Sequence, residues 1–241
     1  LRMFHREGAK GIAGRKSSVR LVDRAAFLIT HATAVEDGGA SAFYIVGAAG
    51  SGVGVRPLEQ VGFHGMSLCE VTFDNTAVST GDRLGGDADA AAEDRKRDRI
   101  LAAEHLAVAA CALGIAEGAY AYALHYAKER IQFGKPIVRF GAVQDMLVDT
   151  ALEVRSASLL THRAAALADQ GEAGLVECIQ ARLAATAAAR TAALQGVQVF
   201  GGYGYAMEYD AQRYLRDSLV LLTGGVTRQV LSNRLANLWG Y

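Results

Sequence analysis

Two stretches of the chain combine glycines with side chains that suit an anionic ligand. The first carries Arg130 and Phe133 and then a Gly-Lys-Pro run that must end the preceding helix. The second carries Gln198 and the adjacent glycines Gly201 and Gly202. A guanidinium suits a phosphate, and glycines let backbone amides approach one without a side chain in the way. Taken singly, the first stretch also fits a solvated helix end, and the second fits an ordinary turn between helices.

Glu104 is a third candidate, here for proton transfer. It lies among the apolar residues 102–103 and 106–107, and a carboxylate in such surroundings can serve as a general base. The same spacing also fits a surface glutamate on an amphipathic helix. Four scattered histidines lack the spacing of metal ligands, so the sequence predicts no metal site. They are His31, His64, His125 and His162.

Composition narrows the partners and the compartment. The 241 residues include 25 basic and 25 acidic side chains, and the basic run at 95–99 is interrupted by Asp98, so we expect no nucleic-acid partner. No uninterrupted apolar run reaches the roughly 20 residues that span a bilayer, so we expect no membrane span. The cysteines are odd in number and widely spaced, which favours buried thiols in a cytoplasmic protein. They are Cys69, Cys111 and Cys178.

The elements that must position these residues differ between two parts of the chain. Residues 11 to about 85 hold β-rich runs, separated by turn sequences and by no long helical pattern. This part predicts a small antiparallel β-domain, built as a sandwich or barrel. The runs lie at 26–30, 42–46, 53–55 and 69–73. The stretch before them, through Gly8 and Gly14, shows neither a helical nor a strand pattern.

The rest of the chain predicts helices. Apolar residues recur there at three- and four-residue spacing, and Pro136 is the one proline. Short connections between long helices indicate an antiparallel all-α bundle. We place the helices at about 93–129, 138–170, 173–199, 208–222 and 226–238. The predicted fold class is therefore α+β, with a β-domain at 1–88 and a helical bundle at 89–241.

The order of these motifs resembles the acyl-CoA dehydrogenase family. Arg-x-x-Phe-Gly-Lys-Pro-Ile is followed by about 60 residues of helix, then by Gln-x-x-Gly-Gly-x-Gly-Tyr, Glu-Tyr and Arg-Asp. The resemblance covers part of the family's middle β-domain and its C-terminal helical domain to Tyr241. It does not cover the N-terminal helical domain. At Gly14, the chain keeps only the Gly and Lys of the family's Gly-x-Lys-x-Trp-Ile-Thr, with Ser18 in place of the aromatic residue.

The resemblance implies FAD as the cofactor and an oligomer as the assembly. Arg130 and Phe133 match residues that contact FAD bound largely by a neighbouring subunit. Gln198, Gly201 and Gly202 match residues that reach the cofactor across the same interface. The implied assembly is a homo-oligomer, either dimer or tetramer, or a hetero-oligomer.

The family's Glu-Gly-Thr-x-Gln segment falls on residues 225–229. Thr227 and Gln229 match its flavin-contacting pair, but Gly225 occupies the position of the glutamate that most members use as the base. One branch, which includes isovaleryl-CoA dehydrogenase-like enzymes, supplies its glutamate from the long preceding helix. In this sequence that position is Glu104, and its neighbour, usually arginine, is His105.

The resemblance implies FAD-dependent α,β-dehydrogenation of an acyl-CoA thioester in fatty acid or lipid metabolism, with Glu104 as the α-proton base. The implied electron acceptor is an electron-transfer flavoprotein or a similar protein. Because Gly225 cannot take a proton, a second hypothesis is a non-catalytic subunit that completes the cofactor site of an active partner in a hetero-oligomer. A third is a relative that acts on an acyl carrier or on a non-thioester substrate.

Overall fold

The computed structural model describes residues 1–6, 9–35, 41–85, 90–171 and 174–241. The chain forms two compact units, Leu1–Arg97 and Asp98–Tyr241. The domain boundary that the sequence predicts between residues 88 and 89 falls at residues 86–89, outside the described residues.

The first unit is built on a six-stranded sheet with the order β4-β3-β1-β2-β6-β5. Only the neighbours β1 and β3 run parallel among the described strand pairs, and the other pairs are antiparallel. The described strands thus form one sheet rather than the predicted sandwich or barrel. The strands are β1 (Arg2–Arg6), β2 (Ala9–Arg20), β3 (Phe27–Ala34), β4 (Ser41–Gly47), β5 (Val53–Leu58) and β6 (Leu68–Val78).

The strand prediction was right for β3 to β6 and wrong for the first twenty residues. β1 and β2 form a hairpin-like antiparallel pair although their sequence shows little alternation. Long-range pairing explains the difference, because β2 lies against β6 over most of its length. The pairing is interrupted by bulges, and Ser18 beside one of them has a φ of 60°.

Burial in this sheet follows strand periodicity. Cys69, Val71 and Phe73 are buried at alternate positions of β6, as expected for a strand with one face on a core. The buried core of the first unit consists of Met3, Ile12, Val22, Ala32, Ala34, Ala42, Tyr44, Val46, Cys69, Val71, Phe73 and Val78.

The helices lie close to their predicted positions. Every predicted start is within three residues of the observed one, and every predicted end is within one residue. The helices are α1 (Ala90–Glu129), α2 (Gly141–Asp169), α3 (Leu175–Phe200), the single turn α4 (Gly202–Tyr205), α5 (Ala211–Thr223) and α6 (Arg228–Leu238). The α+β fold class is confirmed. Between α1 and α2, a two-stranded hairpin joins β7 (Ile131–Gln132) to β8 (Lys135–Pro136).

Helix α3 lies at the centre of the second unit, against α2, α4, α5 and α6. Small side chains let its neighbours approach closely, and a Cβ added at Gly196 would lie 3.7 Å from the carbonyl oxygen of Ala119 on α1. One large polar side chain, Arg182, is buried in this alanine-rich helix. The structure thereby places an arginine inside the bundle, where its donors must find partners.

Helix α1 is long and alanine-rich. By length and composition alone, its residues Ala91–Glu129 could cross a membrane, and a third of the most apolar window is buried. Core helices of soluble proteins share these properties, so they are weak evidence for a span. The expectation of three buried thiols was wrong for Cys111 of this helix, which is exposed, whereas Cys69 and Cys178 are buried.

Candidate functional site

Glu104 and Gly225 meet in the second unit. Gly225 lies in the turn between α5 and α6 with a φ of 76°, a conformation that favours glycine. A Cβ added to it would lie 3.1 Å from Oε1 of Glu104 and 3.9 Å from Nη2 of Arg182. The two positions that the sequence marks as alternative sites of a base therefore converge on one point of the structure.

Arg182 is the residue that joins the elements around this point. Its side chain is 1% exposed. Nη1 donates to Nδ1 of His105 over 2.9 Å and to Oε1 of Glu104 over 3.4 Å. Nη2 donates to the carbonyl oxygens of Gly224 and Val226, over 2.7 and 3.3 Å. One guanidinium from α3 thus holds α1 and the turn before α6.

The charge states around Arg182 follow from burial. Desolvation, and then the positive charges of Arg182 and Arg234, lower the pKa of His105 to about 4. The imidazole is therefore neutral near pH 7. Its Nδ1 accepts the hydrogen bond from Arg182, so Nε2 carries the ring hydrogen. Burial lowers the pKa of Arg182, while the nearby Glu104 carboxylate opposes that shift. Arg234 itself pairs with Asp98 over 2.6 Å.

The surroundings of Glu104 differ from the predicted apolar setting. Its side chain is 44% exposed, and its carboxylate pairs with the buried Arg182. An ion pair of 3.4 Å with one exposed member is weak, so it orients the carboxylate more than it stabilises the fold. The carboxylate is thus held on one side and accessible on the other.

A second candidate site lies where α1 and α3 end. An open cavity of about 450 Å³ is lined by Tyr126, Arg130, Gln132, Ile137, Val199, Phe200, Gly201, Gly202 and Tyr203. Three of the predicted cofactor-binding residues, Arg130, Gly201 and Gly202, are among them. The Arg130 guanidinium lies over the Tyr203 ring, 5.4 Å from its centroid, which is within the range of a cation–π contact.

The glycines of this cavity have different roles. Gly201 ends α3 with a φ of 60° and a ψ of −135°, and its amide donates to the carbonyl oxygen of Gln198 over 3.1 Å. A Cβ on Gly201 or Gly202 would meet no atom within 4 Å. A Cβ on Gly204, in contrast, would lie 2.4 Å from the carbonyl oxygen of Val197. Gly204 is therefore required for packing, whereas Gly201 and Gly202 leave open space at the cavity.

Aromatic rings form one wall of the cavity. Tyr126 stacks on Phe200 with ring centroids 3.9 Å apart, and Tyr122 stacks on the same ring at 4.8 Å. Tyr209 contacts both Phe200 and Tyr203. These contacts hold the Tyr203 ring in place. Because the Arg130 guanidinium lies against that ring, the packing of the aromatic side chains also positions the guanidinium.

Residues 97–238 match the family described as acyl-CoA dehydrogenase, C-terminal domain. The chain belongs to the acyl-CoA dehydrogenase family. Among curated relatives, it is 39% identical over 179 residues to benzylmalonyl-CoA dehydrogenase of Aromatoleum aromaticum, covering 73% of this chain and 46% of that protein. The chain spans about half the length of the curated relatives it matches.

Solved structures of acyl-CoA dehydrogenases have the same fold. Butyryl-CoA dehydrogenase of Megasphaera elsdenii superposes with a TM-score of 0.89 at 26% identity, over 100% of this chain and 63% of that one. A chain in the structure of the electron transferring flavoprotein of Acidaminococcus fermentans gives a TM-score of 0.87 at 28% identity, over 99% of this chain and 63% of that one.

The remaining residues that the family resemblance singles out do not line the cavity. Phe133 is 93% exposed, and it forms with Gly134 a tight hairpin turn in which both residues have positive φ. Gln198 is exposed on the last turn of α3. Thr227 caps α6 and accepts from the amide of Val230, and the Gln229 side chain donates to Asn233. Both of these residues follow Gly225 closely in sequence.

The sequence predictions did not include Arg182 among the site residues, and they assigned no role to His105. A signal for Arg182 was present, because it is a lone charged residue between Ala181 and the apolar run 183–185. An arginine on such a helix face is buried only when other elements accept its hydrogen bonds. Its partners are at least 42 residues away in sequence, so the spacing of motifs could not identify them.

Proposed function

We propose that this protein, in its full-length form, catalyses the FAD-dependent α,β-dehydrogenation of an acyl-CoA thioester. In this proposal Glu104 is the base that removes the α-proton. The observation that carries the proposal is the 3.1 Å approach of the Glu104 carboxylate to the Cβ position of residue 225. A carboxylate from α1 thereby reaches the place where a side chain from the α5–α6 turn would begin.

The geometry around Glu104 supports a base rather than a structural ion pair. Its carboxylate is partly exposed, so a ligand can approach it, while Arg182 restrains it from the protein side. A general base needs both access to the proton and a fixed orientation. Gly225 removes the side chain that would otherwise crowd this carboxylate.

The residues present fit FAD at two places. Arg130 lies beside the open surfaces of Gly201 and Gly202 in one cavity, a combination that suits a pyrophosphate. Thr227 and Gln229 lie at the start of α6, close in sequence to Gly225. We propose that these residues hold the cofactor together with Phe133 and Gln198. FAD, when bound, supplies the acceptor for the β-hydride.

The proposed partners follow from the same sites. An acyl-CoA would place its α-carbon at Glu104, and an electron-transfer flavoprotein or similar protein would reoxidise the flavin. We propose an oligomer because Phe133, a large apolar side chain, is 93% exposed at the tip of a tight hairpin turn. A side chain placed in this way can reach a neighbouring subunit. The proposed setting is acyl-CoA metabolism in the cytoplasm.

Replacing Glu104 with glutamine tests the proposal, because the change keeps the shape of the side chain and removes its ability to take a proton. In the full-length, flavin-loaded protein, we expect anaerobic bleaching of the flavin by the best substrate from a panel of straight and branched acyl-CoAs to slow by about 10²–10⁴-fold. The matched control is Glu153→Gln on the exposed side of α2, which should bleach at the normal rate.

Two results would count against the proposal. Undiminished bleaching in Glu104→Gln would exclude Glu104 as the base. The second result is a flavin-loaded protein that no acyl-CoA bleaches. If a mixture with a partner subunit then bleaches faster than the partner alone, the non-catalytic cofactor-completing subunit is favoured instead.

A further inference from the structure

We infer that Arg182 is the positioning residue of the reaction centre, and that it holds the Glu104 carboxylate and the 224–226 turn in one arrangement with His105 as its third partner. This inference rests on the proposed role of Glu104 as the base. It assigns to Arg182 an effect on catalysis that acts through Glu104, without contact to the substrate.

The hydrogen bonds of Arg182 support this role because they join three separate elements. The guanidinium lies on α3, and its two terminal nitrogens divide their contacts. Nη1 faces α1, where it meets Glu104 and His105. Nη2 faces the α5–α6 turn, where it meets the carbonyl oxygens of Gly224 and Val226. The planar fork of arginine therefore fixes the distance between the carboxylate and the turn, which a single ammonium group could not do.

The neutrality of His105 is a requirement of this arrangement. Its Nδ1 accepts a hydrogen bond from Nη1, and a charged imidazole has no lone pair at Nδ1 with which to accept one. The charged groups that act on this imidazole are Arg182 from α3 and Arg234 from α6. Burial, and then the two arginines, keep the imidazole neutral, and Arg182 keeps its orientation toward Glu104.

Exposure explains why Glu104 needs a positioning residue. A carboxylate that is 44% exposed on a helix samples several rotamers unless a partner restrains it. Arg182 is itself immobile, because it is buried and bonded to two backbone carbonyls. The restraint on Glu104 is thus transmitted from the backbone of the turn through one rigid guanidinium.

The test compares Arg182→Gln with Arg182→Lys in the full-length, flavin-loaded protein. For Arg182→Gln we expect kcat to fall by about 10–100-fold with KM changed by less than about threefold, because a displaced base slows proton transfer without removing substrate contacts. Arg182→Lys, which keeps a positive charge at this position, should restore part of kcat.

Hydrogen exchange provides a readout that does not depend on turnover. In Arg182→Gln, backbone amides in the peptide covering 224–229 should exchange faster, because two carbonyls of the turn lose their donor. The matched control is Arg190→Gln on the exposed side of the same helix, which should leave exchange, kcat and KM unchanged.

The outcomes separate this inference from the proposed function. If Glu104→Gln loses bleaching while flavin-loaded Arg182→Gln keeps the normal kcat, the positioning role is overturned and the proposed function stands. A lower melting temperature with normal kinetics would likewise show that Arg182 is structural only. If Glu104→Gln bleaches normally, both the proposed function and this inference fail.

Discussion

Oε1 of Glu104 lies 3.1 Å from the point where a side chain on Gly225 would begin. The two residues come from different elements and are far apart in sequence, yet both face Arg182. This relationship means that either position can deliver a carboxylate to the same region, but that both cannot do so without crowding and charge repulsion.

The first prediction follows directly from this relationship. Gly225→Glu alone should slow flavin bleaching by about tenfold or more, because a second carboxylate beside Glu104 favours sharing of a proton between the two. The double variant Glu104→Gly, Gly225→Glu should bleach at least about tenfold faster than the single variant Glu104→Gly, because it again has one carboxylate at this point. Stopped-flow bleaching with the same acyl-CoA measures both. A double variant as inactive as Glu104→Gly would show that the two positions do not serve the same point.

The second prediction concerns stability at mildly acidic pH. His105 has a folded-state pKa of about 4, below its ordinary 6.5. Between these two values, the imidazole is protonated in the unfolded chain and neutral in the folded chain. The free energy of unfolding should therefore fall by about 2 kcal/mol between pH 7 and pH 5 from this group alone. Urea unfolding of the native protein and of His105→Asn at both pH values measures it.

The Asn variant is informative because its side-chain oxygen can still accept from Arg182, whereas it does not titrate. Between pH 7 and pH 5, the free energy of unfolding of His105→Asn should therefore fall by about 2 kcal/mol less than that of the native protein. His162→Asn, at an exposed position on α2, is the control and should behave like the native protein. Equal losses in the native protein and in His105→Asn would contradict the prediction.

The third prediction concerns flavin affinity. Arg130→Met should weaken FAD binding by roughly tenfold to a hundredfold, the loss of one charge-assisted contact to a pyrophosphate. Tyr203 and the aromatic wall remain, so the thermal stability of the chain should change little. Fluorescence titration of the apoprotein with FAD measures the affinity. Arg139→Met, at an exposed position nine residues further along, should bind FAD normally; a matching loss there would point to net charge rather than to the cavity.

The helices could be predicted from the sequence because their signals are local. Periodic apolar residues and helix-ending glycines act within a few residues, as at Gly201, which ends α3. β1 and β2 could not be predicted in this way, since their strand conformation depends on pairing with β3 and β6. Tertiary pairing overrides weak local preference in such strands.

The candidate site shows the same division. The family resemblance identified Glu104 and the glycines around Gly201, because motif spacing survives in a single sequence. Arg182 was missed because its role consists of contacts with residues 42 to 78 positions away. Its four acceptors belong to two distant segments, and only the packed bundle brings them within reach.

Under the proposed function, the positive φ of Gly225 has a consequence for the evolution of the site. Any other residue there strains the turn, and an acidic one also repels Glu104, while loss of Glu104 alone removes the base. Moving the base from residue 104 to residue 225 takes two substitutions, and the protein that carries only one of them is impaired, whichever comes first. Once glycine occupies the turn, the assignment of proton abstraction to α1 is difficult to reverse by stepwise mutation.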